Sequence, residues 1–414
     1  MAHLLVLELP GGDDTDIIEA GYYLGHDVTF LSGDLSYYQN NPEVMQKLQI
    51  FCSEMIEVKP FDYPQVERQV LQLHSRKPVD AVLCLVDIRM IEASKLAEKL
   101  FLKFLNPQSA QLLRDKFSVR ERLQQKGIVQ PDFKLATSNE ELRTAVEEIG
   151  LPVVIKPSDG YGSQNVVVLQ DEDDLSPFLS PLDDFLPQEL DYGLGVKAND
   201  RLLVEAYMQG KFIGCDTMTI NGQHYFLGIN EKQMFPVPSF AIRGSCFPSQ
   251  RFDEERIRDY VFSILNAVEF DWGMAHIELM VTENGPMLVE VNPRLVGAKI
   301  SRLLNLAFKR NIHQELVALH LGLLNTVDFA PLDFAISRWF VADQYGVLQN
   351  LTLPVQQSEN IRHMELVKHV GDGVHPPFNN GDRIGYIMVS AGKREQAEQI
   401  AEDFIADIKM EINA

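Results

Sequence analysis

The stretch from Ala275 to Gly297, AHIELMVTENGPMLVEVNPRLVG, constrains this chain more than any other. Apolar and polar residues alternate on both sides of Glu283-Asn284-Gly285, as in two antiparallel strands joined by a tight turn. A three-residue loop with Gly285 in the left-handed position sets Thr282 against Pro286, which places Glu278 opposite Glu290 and His276 opposite Asn292. The other face, Ile277, Leu279 and Val281 against Met287, Val289 and Val291, requires a core and so fixes the register. Directly opposed side chains have Cβ atoms roughly 5 Å apart, and two like charges there destabilise the pair. A cation reverses that sign. Glu278, Glu290 and the amide oxygen of Asn292 form an all-oxygen ligand set that suits Mg²⁺, with Mn²⁺ as second choice, better than Zn²⁺. Arg294, just past the strand, is placed to reach an oxyanion near such a metal. An edge hairpin whose acids merely face water stays open as the alternative.

Bulk properties narrow the classes. With 414 residues the chain has room for two to four domains. A formal net charge of -22 argues against nucleic acid as a partner, since phosphate contacts need a basic surface. Cys52, Cys84, Cys215 and Cys246 lie far apart without CxxC spacing, so they are expected as reduced core thiols. Met1 leads directly into an apolar strand and no apolar run approaches membrane-spanning length, so a cytoplasmic protein without a membrane partner is expected.

The first hundred residues alternate strands and helices, with strands at 3–9, 27–31, 55–58 and 81–86, which parallel βαβ units explain most simply. Asp87 sits at the carboxyl end of the last of these, where open α/β sheets place their ligand crevice; a helix N-cap is its other reading. After Pro107 comes a charged amphipathic helix, 109–125, containing Lys116. The strand 152–157 ends at Lys156 and is followed by a loop containing Gly162 and Ser163, whose backbone N–H groups can face an anion. RLLVEAYM, 201–208, is a strand end whose Ala206, Tyr207 and Met208 backbone can edge-pair with a purine while Glu205 takes an exocyclic amine. Asn221-Gly222 centres a hairpin, and 231–248, with Glu231, Lys232 and Arg243, reads as a binding loop.

In this order and spacing, Lys116, Lys156 with its glycine loop, Glu205, His276-x-Glu278 and Glu290-x-Asn292-Pro293-Arg294 resemble the ATP-grasp superfamily, over roughly residues 107–321. The tail, from Ala335 through RIGYIMVS to the helix at 394–410, resembles the C-terminal lobe of the L-amino acid ligases, which make dipeptides. The whole chain is similar to ligases of the dapdiamide synthase type, which join an acylated diaminopropionate to valine. The resemblance implies an α/β ATP-grasp fold, with a Rossmann-like domain at 1–106, the ATP-grasp domain at 107–325 with a lid at about 153–208, and a C-terminal α+β lobe at 326–414.

It further implies ATP and Mg²⁺ as cofactors, small amino acids as substrates, and a homodimer as the assembly to consider. Lys116 and Lys156 would hold the phosphates under Gly162 and Ser163, residues 205–208 would hold adenine, and Glu278, Glu290 and Asn292 would hold the metal. Arg294 would be catalytic. Asp87, for an α-amino group, and Arg243, for a carboxylate, are expected near the substrates, together with Glu231, His276, Arg294 and Gly297; His276 ranks as a structural hydrogen-bonding residue. Two departures stand out: Lys211 and Phe212 occupy the place of the family's ribose-binding Glu, and Leu295-Val296-Gly297 replaces its double glycine. Activation of bicarbonate, or nucleotide binding without turnover, are the rival functions.

Overall fold

The structure is a computed structural model, and it describes residues 1–160, 166–171, 194, 196, 200–236, 239, 241–297, 299–354 and 358–413. The first domain carries β1 (His3–Leu7), β2 (Asp27–Ser32), β3 (Glu54–Glu57) and β4 (Ala81–Cys84), all parallel in the order β3-β2-β1-β4. This is the expected βαβ arrangement, with Asp87 in a short turn just beyond β4. The single helix expected at 109–125 is two, Pro107–Leu113 and Lys116–Gln125. Asp115 breaks it: its side chain accepts from the Ser118 amide and caps the second helix, so Lys116 stands in the first turn.

A small sheet follows, of β5 (Phe133–Ala136), β6 (Val153–Pro157), β7 (Val167–Leu169) and β8 (Leu202–Ala206), in the order β5-β8-β6-β7. Gly162, Ser163 and most of the expected lid lie outside the described residues.

The large sheet begins with β9 (Lys211–Ile220), β10 (Gln223–Met234), β11 (Ile242–Phe247), β12 (Gly273–Thr282) and β13 (Gly285–Asn292). The C-terminal part supplies β14 (Phe334–Phe340), β15 (Gly346–Thr352), β16 (Ile361–Leu366), β17 (Gly373–Val374), β18 (Gly385–Ala391) and β19 (Lys409–Asn413). Eight of these form one sheet, β13-β12-β9-β10-β11-β14-β18-β16, while β17-β15-β19 form a small one beside it. The segment 231–248 is therefore mostly strand, not the expected loop, because β11 is needed to join β10 to β14.

One face of the large sheet packs Ile213, Cys215, Ile277 and Leu279 under helix Glu254–Ala267, and Ile336, Ile387 and Val389 under helix Arg394–Ala406. On the other face Met218, Phe247, Met274 and Met388 meet helices Ile300–Phe308 and Ile312–His320. All four cysteines are free, as expected, and burial pushes the Cys84 thiol up to about 12.

Glu278 pairs with Glu290 and His276 with Asn292, as the sequence predicts, but by another route. The turn is one residue tighter: Thr282 pairs with Gly285, whose φ of +117° is not the left-handed helical value. A bulge then inserts Val289 between the Leu279–Leu288 and Glu278–Glu290 pairs and restores the register at the acids. As a result Leu288, 1% exposed, takes the core position expected for Val289, which is half-buried. Leu288→Ala is accordingly expected to cost about 3 kcal/mol in urea unfolding and Val289→Ala about 1 kcal/mol or less; a strictly alternating strand gives the reverse order.

Candidate active site

The polar face of β12 and β13 gathers the carboxylates, and lysines from two other elements meet them. Lys116 pairs with Glu290 at 3.0 Å and also donates to the Gly160 carbonyl. Lys232, on β10, pairs with Glu278 and lies over the Phe212 ring at 4.3 Å. Its charge and the His276 ring hold the Glu278 carboxyl well below the usual carboxylate range, against the opposing pull of burial. Each acid of the hairpin thus has its own lysine.

His276 is buried, with Nδ1 2.8 Å from Asp216 Oδ1 and Nε2 3.7 Å from Glu278 Oε1. Burial lowers the ring pKa, but the Asp216 carboxylate outweighs it and the net shift is upward. Gly214, the β9 partner of Glu278, makes the room: a Cβ there would collide with the His276 ring. The ring sits as a hydrogen-bonded post beside Glu278.

A second knot joins the two sheets. Glu205 is buried, with Oε1 2.5 Å from Arg120 Nε and Oε2 2.6 Å from Lys156 Nζ. Burial works to raise its pKa, yet the two cations keep it below the usual range. Burial pulls Lys156 the other way, and with Arg120 alongside its pKa is lowered in spite of Glu205. The bulge completes the knot: Arg120 Nη2 donates to the Leu288 carbonyl at 2.7 Å, and Lys156 donates to that of Val289 at 3.4 Å. Both oxygens of Glu205 are engaged by cations, so the expected bond to an exocyclic amine is replaced by a role in aiming Lys156. The amides of Ala206 and Tyr207 donate to the carbonyls of Asp132 and Pro152, at 2.9 and 3.0 Å, and so are already engaged within the protein.

Arg294 grips Asp87 Oδ2 through Nε at 2.8 Å and Nη2 at 2.5 Å. Burial lowers the Arg294 pKa, but Asp87, Glu290 and Glu278 raise it further, so it stays a cation. Gly297 stands nearby, where an added Cβ would lie 3.7 Å from Arg294 Nη1. A cleft of about 300 Å³ runs between Asp87, Lys116, Gly160, Glu290 and Asn292. Asp87 therefore lies at the crevice the sequence assigns to it, with Arg294 as its partner and Val86, not Asp87, at the N-cap.

Two expected substrate residues lie elsewhere. Glu231 alternates to the opposite face from Lys232, where it accepts from Arg394 at 2.8 Å, Ser249 at 2.9 Å and Arg251 at 3.2 Å. Arg243 pairs with Glu402 on helix Arg394–Ala406. Both fasten the C-terminal lobe to the sheet. Conversely, Arg120, Asp216 and Lys232 are part of the site without having been assigned to it. Arg120 was within reach of the sequence, since it follows Lys116 by one helical turn and shares its face.

The donor chemistry fits a hard divalent cation. Glu278 and Glu290 keep side-chain exposures of 21% and 23%, and each is balanced by one lysine, Lys232 and Lys116, in place of which a divalent ion would satisfy the same oxygens.

Comparison with known proteins agrees with this geometry. Residues 149–303 match the model of the ATP-grasp domain, and residues 338–413 match L-amino acid ligase C-terminal domain 2. The chain is an ATP-grasp protein with an L-amino acid ligase C-terminal domain. It is 31% identical over 318 residues to an uncharacterized protein of Sinorhizobium fredii, covering 74% of this chain and 63% of that one. It is 24% identical over 275 residues to the L-arginine-specific L-amino acid ligase of Bacillus subtilis, covering 64% of each. The chain thus spans slightly less than two thirds of these relatives' length. The crystal structure of an L-amino acid ligase from Bacillus licheniformis superposes with a TM-score of 0.78 at 20% identity, over 100% of this chain and 99% of that one, which shows a shared fold.

The buried knot makes a pH prediction. Because the folded pKa of Glu205 is depressed, its stabilisation is full above its unfolded value of about 4.3 and is lost as pH falls through the folded value. Glu205→Gln is expected to destabilise by about 3 kcal/mol at pH 7, with the gap to wild type closing below about pH 4 in unfolding titrations. A constant gap overturns this account.

Proposed function

We propose that this ATP-grasp protein is an ADP-forming ligase that joins the carboxylate of one amino-acid-like substrate to the amine of another. The observation that carries the reading is a cleft lined by Asp87, Lys116, Glu290 and Asn292, with Glu278 paired to Glu290 across the hairpin, Arg294 on Asp87 and Lys156 on the Val289 carbonyl. A carboxylate does not react with an amine near neutral pH, because the leaving group would be an oxide ion. Phosphorylation solves this. The γ-phosphoryl group leaves ADP for a carboxylate oxygen; the amine nitrogen then bonds to the carbonyl carbon, phosphate departs with that oxygen, and the amine proton is released.

Transfer of this kind crowds anionic oxygens together, so catalysis is mainly positioning and charge neutralisation. Glu278, Glu290 and Asn292 would hold Mg²⁺, which supplies charge stabilisation on the phosphate oxygens when bound. Lys116 and Lys156 bind phosphate oxygens, with Lys156 aimed by Glu205 and Arg120. Arg294, kept cationic by Asp87, stabilises the oxyanion formed as the amine attacks, and losing one such donor costs about 3 kcal/mol of barrier. Asp87 beside it suits a substrate ammonium group. Ribose contacts would involve the neighbourhood of Lys211 and Phe212.

Within this proposal, the resemblance to dapdiamide-type ligases suggests an N-acylated diaminopropionate and valine as the pair, in the making of a small antimicrobial peptide. A cytoplasmic setting fits, and among the described residues no helix is long and apolar enough to cross a membrane. A panel of amino acids, singly and in pairs, with ATP and Mg²⁺, should reveal one pair that drives phosphate and ADP release. Glu290→Ala should abolish it, by about a thousandfold or more. AMP in place of ADP rejects the acyl phosphate route, and release driven by bicarbonate alone rejects the ligase.

A further inference from the structure

A second cavity, of about 420 Å³, opens over β11, β14 and β18 on the face of the large sheet that carries Glu278. Leu303 and Met388 give it an apolar wall, and Trp339 and Arg383 a cationic one. The Arg383 guanidinium carbon lies over the Trp339 ring, 3.7 Å from its centroid. Its Nε donates to the Asn380 carbonyl at 2.7 Å and Nη1 to that of Ile242 at 3.5 Å. A guanidinium carries about five donors, so most of the fork is left for a ligand.

What sets this arginine apart is the lack of an anion. Arg89, Arg120, Arg294, Arg338 and Arg394 are as buried or more so, and each meets a carboxylate: Glu8, Glu205, Asp87, Glu402 and Glu231 respectively. Among the described residues Arg383 forms no ion pair, and burial lowers its pKa to about 10 with nothing to offset it. The one other cation lining the cavity, Lys299, is neutralised by Glu365, which also accepts from the Tyr386 hydroxyl at 2.8 Å. A half-buried, unpaired guanidinium stacked on an indole is costly to hold ready unless an anion comes to it.

The cavity adjoins the hairpin site. Ser245, on its floor, is the direct cross-strand partner of Lys232, which holds Glu278. Lys299, on the rim of the cavity, follows Arg294 by five residues in the sequence.

We propose that this cavity receives the carboxylate end of an aliphatic amino-acid substrate, the carboxylate on Arg383 against Trp339 and the apolar body on Leu303 and Met388. The assignment rests on the ligase reading for its role in turnover, though not for binding. The fork matches a planar carboxylate, and the apolar wall selects against small polar anions.

Trp339 is one of two tryptophans in the chain, so its emission reports on the cavity once Trp272 is replaced. In Trp272→Phe protein, titration with L-valine, L-leucine and L-alanine should give a saturable change for at least one of them. The corresponding amides, which lack the charge, should bind at least tenfold more weakly. Arg383→Gln should remove the preference and Arg383→Lys keep part of it; the same titration on wild-type protein serves if Trp272→Phe fails to fold. In turnover, Arg383→Gln should raise KM for one amino acid by about tenfold to a hundredfold, with kcat and the KM for ATP within about threefold. Equal binding of acids and amides, or wild-type turnover with both amino-acid KM values unchanged by Arg383→Gln, overturns the cavity assignment. Acid-selective binding in a protein that releases no ADP with any pair upholds the cavity and rejects the ligase instead.

Discussion

Two carboxylates fixed side by side on one face of a strand pair repel each other, and the rest of this site is built around managing that repulsion. Glu278 and Glu290 cannot move apart, because the opposite face of the same strands is committed to the core through Ile277, Leu279 and Leu288. Charge must therefore come to them. Lys116 arrives from the first turn of a helix and Lys232 from the second strand away, and each takes one acid. The two lysines satisfy the carboxylate oxygens that would otherwise face each other uncompensated.

The bulge at Val289 ties this arrangement to the small sheet. In a regular edge strand consecutive carbonyls point to opposite sides, so only one of Leu288 and Val289 would face away from the ladder. The extra residue turns them toward Arg120 and Lys156, whose common anion is Glu205. The strand that bears Glu290 is thereby coupled to the strand that bears Lys156. Three buried charges share one network, and its energy depends on all three being present.

Much of this was legible in the sequence. The alternation in Ala275–Asn292 fixes which residues share a face, so the pairing of Glu278 with Glu290 follows even though the turn and the bulge, two errors of one residue each, cancel on the way. Asp87 was legible because the end of a parallel strand is a privileged place for ligands. Glu231 and Arg243 were misjudged because a charge in a segment rich in Pro, Gly and Ser looks the same whether it faces a substrate or an ion pair across a lobe; only strand parity separates Glu231 from Lys232. Lys232 was named only as part of a loop, and Arg120 not at all although it follows Lys116 by one helical turn; the carboxylates they meet lie 46 and 85 residues away, a separation no local pattern encodes.

The large sheet runs without interruption from the hairpin into the C-terminal lobe. Strand β11 is zipped to β14 through Gly244–Arg338, Ser245–Ser337, Cys246–Ile336 and Phe247–Ala335, and Glu231 with Arg394 rivets the same junction from behind. The lobe is therefore not a detachable module, although the chain between Leu321 and Phe334 looks like a seam. Grafting a lobe from a relative at that seam would transplant half of a hydrogen-bonded ladder. The foreign strand would have to reproduce the register of the native one, residue for residue, before any change of substrate preference could be read from the hybrid.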